Sequence, residues 1–280
     1  MTERVLVAGA TGGVGQLTVA RLLEKGYTVR VLTRSTEKAE KMFGETAPQE
    51  FQQRTEYAVG DIRQPETLPP ATTGVDYIIC CTGTTAFPSE RWDFDLPKQM
   101  NPLQNLSVWS KIFLDAGYRN AKANNSPMKV DAEGVSHLVN AAPPDLKRFV
   151  FVSSCGVEHK TQFPYTLLNA FGVLDAKEQG EAAVKRSHLP YTIIRPGRLI
   201  DGPYTSYDLN TLLKATTSGK QGIVIGTGDT LTGQTSRIDV AAACVECLSH
   251  AATDRKTFEI INQGSRPATI DWATLFATIP

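Results

Sequence analysis

Short apolar runs alternate with longer amphipathic stretches along most of the chain. The apolar runs are rich in Val, Ile and Tyr and end at Gly, Asp, Ser or Pro, which is typical of strands. They are Arg4–Ala8, Thr28–Thr33, Thr55–Val59, Asp76–Cys81, Arg148–Ser153 and Tyr191–Arg195. Helical patterns lie between them, at Val14–Lys25, Asp131–Ala142 and Ala176–Ser187. Alternation of strand and helix predicts right-handed crossovers and a doubly wound parallel sheet of the α/β class.

Two regions interrupt this alternation. Residues 87–127 are polar with scattered aromatic side chains, and a short helix is predicted within them at Val108–Ala116. This insertion is either a surface excursion or a lid. Residues 196–233 are rich in Gly, Thr and Tyr, and they predict a small C-terminal lobe on the substrate side of the sheet. We therefore expect one domain over residues 1–280 that carries both features.

Composition and charge exclude some classes of binding partner and indicate where the protein is located. Hydrophobic residues make up 41% of 280 residues, enough for a sizeable core, and 29 basic residues balance 29 acidic ones. A balanced charge argues against nucleic acid as the main partner. Apolar runs stay short of the roughly 18 to 20 residues that span a bilayer, so no integral membrane segment is expected. Met1–Arg4 lead directly into a strand without a signal-peptide pattern. We expect a cytoplasmic protein, or a plastid stroma protein if a transit peptide was removed.

The cysteines do not suggest a disulfide framework, because there are five of them at irregular spacing. Cys244 and Cys247 form a C-x-x-C pair, which invites a metal or redox interpretation. They lie, however, in the alanine-rich helical run Asp239–Leu248, and no second pair of ligands accompanies them. Since a buried free cysteine behaves as a small hydrophobe, we interpret both as packing residues and expect no metal.

The strongest motif is the run from Val7 to Gly15, which reads V-A-G-A-T-G-G-V-G. It follows the first strand and opens an amphipathic helix, the context of a Rossmann-type dinucleotide site. Gly9 permits a tight turn, Gly12 lets the backbone approach a pyrophosphate, and Gly15 lets helix and strand pack closely. The helix N-terminus then faces the phosphates. The loop residues expected at the cofactor are Gly9, Thr11, Gly12, Gly13, Val14 and Gly15.

The end of the second strand indicates which dinucleotide binds. An NAD-preferring site commonly has an acidic residue there, whereas this chain reads Thr33-Arg34-Ser35. The guanidinium of Arg34 suits a 2′-phosphate, and Arg30 and Lys38 are further cations close by in sequence. We therefore expect NADP(H) to be preferred over NAD(H).

The ends of the third and fourth strands supply further candidates. The carboxylate of Asp61, followed by Ile62, could accept from the adenine amino group, or it could simply cap a helix or turn. Cys80–Thr84 closes the fourth strand. Backbone there should run beside the riboses, so Cys81, Thr82 and Gly83 are expected at the cofactor.

Taken in order, these segments resemble the short-chain dehydrogenase/reductase superfamily, and most closely its atypical, NmrA-like NAD(P)-binding proteins of cyanobacteria and plastids. The resemblance covers nearly the whole chain. Besides the glycine loop and Gly60-Asp61, it rests on Val130-Asp131-x-x-Gly134, Val152-Ser153-Ser154, Tyr191–Gly197, Pro196–Tyr204 and Arg237–Ala241. It implies a Rossmann fold in which Ser153, Pro196, Gly197 and Arg198 also lie at the cofactor.

The resemblance also implies a catalytic Ser and a Tyr-x-x-x-Lys pair. Ser154 or Ser153 matches the serine and Lys177 the lysine, which would bind the nicotinamide ribose. Val173 stands where the tyrosine belongs, and Asp131 stands where many members have Asn. Tyr165 lies upstream without the required spacing. His159 and Cys155 could replace the tyrosine, although a solvated histidine and a packed cysteine are the favoured interpretations.

Two functions fit these features. The first is an NADP(H)-dependent oxidoreductase that reduces a flat quinone-, flavin- or tetrapyrrole-like acceptor, with Ser154 and Lys177 as the catalytic candidates. Such an acceptor is already electrophilic, so hydride placement matters more than a strong acid. The alternative is a non-catalytic NADP(H)-binding redox sensor or assembly factor, whose protein partner could bind the insertion. The lysine and serine favour the reductase, and a small-molecule acceptor is then the expected partner.

Overall fold

The computed structural model describes residues 2–44, 47–97, 99–200 and 221–280. Its strands are β1 (Arg4–Ala8), β2 (Thr28–Thr33), β3 (Thr55–Val59), β4 (Tyr77–Cys80), β5 (Arg148–Val152), β6 (Tyr191–Pro196), β7 (Arg198–Ile200), β8 (Gln221–Gly226), β9 (Gln234–Ser236) and β10 (Lys256–Ser265). Its α-helices are α1 (Gly13–Glu24), α2 (Thr36–Phe43), α3 (Gln49–Gln52), α4 (Pro69–Thr72), α5 (Pro102–Leu114), α6 (Ala116–Lys122), α7 (Val135–Asn140), α8 (Tyr165–Leu168), α9 (Val173–Arg186), α10 (Arg237–Glu246) and α11 (Trp272–Ala277). Within these ranges, no helix combines the length and the apolarity needed to cross a membrane.

The central sheet has eight strands in the order β3-β2-β1-β4-β5-β6-β10-β8. Neighbours are parallel except for β10 and β8, which run antiparallel. This order confirms the predicted doubly wound α/β fold. Strand β1 lies between β2 and β4, so the chain builds outward on one side of β1 and then returns to build on the other. Ligands bind in such sheets at this reversal, beside the carboxyl ends of the strands.

The pleat of the central strands separates two hydrophobic cores, one on each face of the sheet. In β1, Val5 and Val7 pack into one core, whereas Leu6 and Ala8 pack into the other. Strands buried on both faces are typical of parallel sheets covered by helices. The helices α1 and α10 cover the first face together, and their contact relies on small residues such as Ala241 and Cys244.

The predicted strand positions are confirmed, three of them to the residue. The helix predicted at Asp131–Ala142 differs in its start, because a π-helical segment over Met128–Gly134 precedes α7. Helix α9 crosses this segment closely. A Cβ on Gly180 of α9 would lie 2.4 Å from the backbone oxygen of Asp131, so glycine is required for the contact. Single π-helical turns of this kind are frequent at functional sites.

The insertion at residues 87–127 is more regular than the sequence predicted. The expected short helix at Val108–Ala116 is wrong in its bounds, because two consecutive helices, α5 and α6, replace it. Asn101 and Gln104 form a capping box that starts α5, and the Asp115 carboxylate caps α6 by accepting from the Tyr118 N–H. Capping residues therefore set these helix boundaries. Asp115 ends α5 and starts α6, whereas the prediction had one helix running through it to Ala116.

The region predicted as a substrate-side lobe divides into several parts. Residues 201–220 lie outside the described residues. Strand β8, which follows them, pairs antiparallel with β10 and so belongs to the central sheet. Strands β7 and β9 form a separate two-stranded parallel sheet. Part of residues 196–233 therefore extends the central sheet, and a substrate-side lobe stays a prediction.

Candidate functional site

A cavity of about 820 Å³ opens at the carboxyl ends of β1 to β4, at the reversal point of the sheet. This volume is within the range of small-molecule and cofactor sites. Half of the residues expected at the cofactor lie in its wall, contributed by four different strand ends: Gly9, Thr11, Gly12, Arg34, Asp61, Ile62, Cys81, Thr82 and Gly83. The fold therefore brings together the glycine loop and the ends of β2, β3 and β4.

The glycine turn has the geometry of a phosphate cradle. Gly9 has a φ of 75°, and a Cβ there would lie 2.8 Å from the carbonyl of Cys81. A Cβ on Gly15 would come within 2.1 Å of the Gly9 oxygen. Both glycines are thus required by close packing. Gly12 lines the cavity at the start of α1, where it has no side chain to cap the helix. The helix N-terminus can therefore accept an anion, as the pyrophosphate of a dinucleotide requires.

Two cations lie at the β2 end of the cavity. Arg34 and Lys38 both line it, together with Ser35. The Thr33 hydroxyl stabilises this turn by donating to the Ser35 carbonyl at 2.7 Å and accepting from its N–H at 3.1 Å. Arg30, the other cation close by in sequence, does not line the cavity as the described residues outline it. Arg30 instead forms an ion pair with Glu56 and donates to two carbonyls, because its side chain lies across β3.

Asp61 lines the cavity, but a neighbour that the sequence analysis missed holds its carboxylate. Arg63 donates from Nε to both Asp61 oxygens at 3.0 Å, and its Nη1 donates to the Asn124 carbonyl. Burial alone would raise the pKa of Asp61. The hydrogen bonds and charge of Arg63, with a smaller contribution from Arg34, outweigh burial and hold that pKa below its usual value. A contact of Asp61 with adenine stays a prediction.

The end of β4 is built around a buried ion pair. Asp131 is 0% exposed, and its Oδ2 accepts from the Thr84 N–H at 3.3 Å and the Thr84 hydroxyl at 3.1 Å. Its Oδ1 lies 2.8 Å from Nζ of Lys177. The Lys177 ammonium also donates to the carbonyls of Val152 at 3.0 Å and Thr82 at 3.1 Å. One lysine therefore joins the carboxyl ends of β4 and β5.

This pair explains why an aspartate stands at position 131. A buried ammonium is costly unless a charge balances it, and Asp131 supplies that charge. Lys177 is 7% exposed and lies behind the Thr82–Gly83 backbone. A Cβ on Gly83 would be 3.6 Å from both Nζ of Lys177 and Oδ1 of Asp131. Because residue 83 is glycine, only its backbone lies between the ion pair and the cavity. In the cavity wall formed by the described residues, Gly83 takes part and Lys177 does not. A direct contact of Lys177 with the ribose stays a prediction.

The two candidate serines have partners within the protein. The Ser153 hydroxyl donates to Glu181 at 2.7 Å, and the Ser154 hydroxyl donates to the Cys155 carbonyl at 3.0 Å. Neither serine belongs to the cavity wall as the described residues outline it. Glu181 in turn accepts from Nε of Arg195 at 2.8 Å and from Nη2 at 2.7 Å. The end of β5 is thus tied to α9 and β6.

Other candidates serve packing near the site. In the described part of the wall, Gly13, Val14, Gly15, Pro196, Gly197 and Arg198 do not line the cavity. A Cβ on Gly197 would lie 2.5 Å from the Gly233 oxygen, which explains the glycine there. The cofactor contacts of these residues stay predictions.

Val173 and Tyr165 meet in a small hydrophobic cluster. Val173, at the tyrosine position, is buried with Val157 and Leu174, and Tyr165 packs against that cluster. The Tyr165 ring packs on Gly156, which has a φ of 89° that residues with a side chain rarely adopt. Burial, together with the nearby Cys155 and carboxylates, raises the pKa of Tyr165. The fold thus brings Tyr165 to Val173, although sequence spacing did not support it.

The remaining thiol and histidine candidates are mostly buried. Cys155 is 5% exposed, donates to the Arg195 carbonyl, and has its pKa raised to about 12 by burial. Cys244 and Cys247 are both 0% exposed. Among the described ranges, no three His, Cys, Asp or Glu side chains are grouped as a metal site would need. His159 has a buried Nδ1 that finds no partner among those same residues.

The sequence analysis missed several residues of the cavity wall. Besides Arg63, these include Thr84, Thr85, Arg91, Asn125 and Arg237. Arg91 and Asn125 come from the insertion, which therefore borders the cavity. Arg237 opens a segment that carried the family resemblance, Arg63 directly follows Ile62, and Thr84 closes the Cys80–Thr84 segment, so each had a signal in the sequence. Arg91 and Asn125 had none, because they lie in the insertion, away from every motif.

Comparison with known proteins gives one family match over most of the chain. The family model described as NAD(P)H-binding matches residues 9–251. An uncharacterised chloroplast protein of Arabidopsis thaliana is 30% identical, over 99% of this chain and 83% of its own length. Sanguinarine reductase of Eschscholzia californica is 29% identical, over 98% of this chain and 95% of its own. The photosystem II assembly factor Ycf39 of Trieres chinensis is 27% identical, over 92% and 64%.

Solved structures agree on the fold. An anaerobilin reductase from Escherichia coli O157:H7 superposes with a TM-score of 0.62 at 19% identity, covering 95% of this chain and 100% of its own. A short-chain dehydrogenase/reductase from Veillonella parvula in complex with NADP superposes with a TM-score of 0.58 at 17% identity, covering 96% and 100%. Identities this low support the architecture alone.

Proposed function

The chain belongs to the family of NAD(P)H-binding proteins, and on that basis we propose that it is an NADP(H)-dependent reductase of a flat quinone-, flavin- or tetrapyrrole-like acceptor. One observation carries this proposal. A single cavity joins the glycine turn and the Arg34–Lys38 cations to the strand end that the Asp131–Lys177 pair supports. The first part suits the phosphates of a dinucleotide, and the second suits the redox-active end.

The preference for NADP(H) over NAD(H) rests on Arg34 and Lys38. Both line the cavity where the second strand ends, and Ser35 between them is uncharged. Two cations there can bind a 2′-phosphate, which only NADP(H) carries.

The reaction we propose is a hydride transfer. NADPH, when bound, would supply a hydride to the acceptor and leave as NADP⁺, and water would supply the accompanying proton. The helix N-terminus at Gly12 would hold the pyrophosphate. Lys177 acts as a positioning residue that holds the ends of β4 and β5 and places positive charge behind Gly83. Thr84 donates two hydrogen bonds to Asp131 and lines the cavity at this same end, beyond β4.

A second function fits another observation. The hydroxyls of Ser153 and Ser154 donate hydrogen bonds to other groups of the protein, and the side chain of Val173 has no acidic proton. A non-catalytic NADP(H)-binding redox sensor or assembly factor would need none of these groups. One relative is itself a photosystem II assembly factor. The chloroplast relatives favour a plastid-type location for either function over the cytoplasm.

Loss of NADPH absorbance in the presence of menadione, FMN or biliverdin distinguishes the two functions. We expect the wild-type protein to consume NADPH with at least one of them. Lys177→Met should lower kcat by about 100-fold, the usual effect of removing a preorganised charge. Lys185→Met, on the exposed face of the same helix, should leave kcat unchanged. Bound NADPH that no acceptor oxidises would reject the reductase and favour the sensor.

A further inference from the structure

Six aromatic rings form a continuous row from the insertion to the start of α9. Along the row, the centroids of Trp92 and Phe94 are 6.0 Å apart, and those of Phe94 and Trp109 are 5.8 Å apart. Trp109 and Phe113 follow at 6.2 Å, and then Phe113 and Phe171 at 5.7 Å. The row ends with Phe171 and Phe87 at 5.6 Å. Phe171 directly precedes Gly172 and the helix that carries Lys177. We call these six rings the aromatic row.

Hydrogen bonds connect this row to the cavity. Thr85 lines the cavity, and its hydroxyl donates to the Phe87 carbonyl at 2.8 Å. The indole N–H of Trp92 donates to the Thr85 carbonyl and hydroxyl, each at 3.1 Å. Phe87 therefore lies two residues beyond the wall at the end where the hydride is proposed to be transferred.

Two rings of the row are left open to solvent. Phe87 is 52% exposed and Phe113 is 45% exposed, whereas Trp92 is 0% exposed. Both exposed rings meet Phe171 edge to face, with interplanar angles of 67° and 79°. The guanidinium of the buried Arg119 lies over the Phe171 ring, 4.9 Å from its centroid, in a cation–π contact that helps to fix the ring. The two exposed rings thus rest on a fixed support.

We propose that Phe87 and Phe113 form the platform on which the aromatic ring system of the acceptor stacks. This inference rests on the proposed reductase and deepens it, because it selects fused-ring acceptors over aliphatic carbonyl compounds. Aromatic rings attract one another in offset or edge-to-face arrangements beyond their buried area. The platform is continuous with the cavity through Thr85, and two rings suit a small molecule rather than a protein interface, which buries upwards of about 1,200 Å².

Steady-state kinetics with 9,10-phenanthrenequinone as the acceptor test this platform. Phe113→Ala and Phe87→Ala should each raise KM for the quinone by about 2- to 12-fold, from the strength of an aromatic pair. Neither should change kcat appreciably or the Kd of NADPH. Phe113→Tyr, which keeps the ring, should retain the wild-type KM. Leu103→Ala, 80% exposed on the same helix, is the matched control and should behave as wild type.

The possible failures are distinguishable. If the wild-type protein reduces the quinone and both alanine variants keep its KM, the platform is rejected and the reductase stands. If KM rises equally in Leu103→Ala, a general apolar surface is responsible and the platform is again rejected. If no acceptor is reduced, the reductase fails, and quenching of tryptophan fluorescence by phenanthrenequinone then tests the platform alone. Quenching that Phe113→Ala weakens would support it, and absence of quenching in the wild type would overturn it.

Discussion

The proposed preference for NADP(H) rests on the side chain of Arg34, which lines the cavity where β2 ends. We expect Arg34→Ala to weaken NADPH binding by about 10- to 150-fold, because one charge-assisted contact is worth about 1.5–3 kcal/mol. NADH binding should change little, since NADH lacks the 2′-phosphate. Calorimetric titration of both cofactors measures the difference. Arg30→Ala is the matched control on the same strand, because Arg30 pairs with Glu56. Equal weakening of NADH, or no weakening at all, would refute the role of Arg34.

Thiol accessibility gives an independent map of the cofactor position. Cys81 lines the cavity and is partly exposed, whereas the other four cysteines are at most 5% exposed. Burial raises the pKa of Cys80 to about 11 and those of Cys155 and Cys247 to about 12. We expect an aromatic disulfide reagent to modify one thiol in the native protein and saturating NADPH to slow that reaction.

Cys81→Ser should abolish the native-state modification, which identifies the thiol. Cys244→Ala and Cys247→Ala should leave it intact and behave as packing variants. A modification rate that NADPH does not change would place the cofactor elsewhere.

Sequence reasoning succeeded at this scale where a residue has a local role. Gly9 and Gly15 are required by a turn that nine consecutive residues encode. Lys177 could be proposed from a resemblance, but its burial behind Gly83 depends on how α9 packs against β4 and β5. Arg63 lies two residues from Asp61, but its second contact, with the Asn124 carbonyl of the insertion, depends on the fold.

At the level of elements, buried strands were predicted well and exposed helices poorly. Strand β5 is buried throughout and apolar from Phe149 to Val152, because both of its faces are covered, and this gives a clear signal. Helix α5 buries only Ile112, although several of its residues are apolar. Its periodicity is therefore weak, and its start depends on the capping box of Asn101 and Gln104.

Glu181 of α9 and Arg195 of β6 clamp helix to sheet, which has a consequence for acid stability. Burial alone would raise the pKa of Glu181, but the hydrogen bonds and charge of Arg195, with Ser153, outweigh burial and lower it. A lowered pKa in the folded state means that the carboxylate stabilises the fold above its ordinary pKa of 4.5. This stabilisation is lost as the pH falls through the lower, folded value.

Glu181→Gln should therefore reduce the free energy of unfolding at pH 7 by about 1.5–3 kcal/mol, because it removes one charged partner of Arg195, which keeps its ion pair with Glu158. The gap between variant and wild type should narrow as the pH falls below about 4.5, where the unfolded carboxylate becomes protonated. Urea unfolding at pH 7, 5 and 3.5 measures this gap. A gap of the same size at all three pH values would show that charge does not cause it.

At the scale of the whole molecule, the site combines parts that are far apart in the chain. Four strand ends line one cavity, and the order of motifs along the sequence was enough to predict that they come together. The proposed acceptor side is different, because Arg91, Asn125 and every ring of the aromatic row except Phe171 come from the insertion. The position of these rings follows from the contacts of the insertion with Phe171, just before α9, which no motif encodes. The cofactor class was therefore predictable, and the acceptor platform required the structure.

The most direct test of this account is a calorimetric titration of the wild-type protein with NADPH and, separately, with NADH. The account predicts one NADPH site per chain and binding tighter than that of NADH by about tenfold or more, equivalent to about 1.4 kcal/mol. Equal or tighter binding of NADH would contradict the assignment of the Arg34 end of the cavity. Absence of binding by both cofactors would contradict the account as a whole.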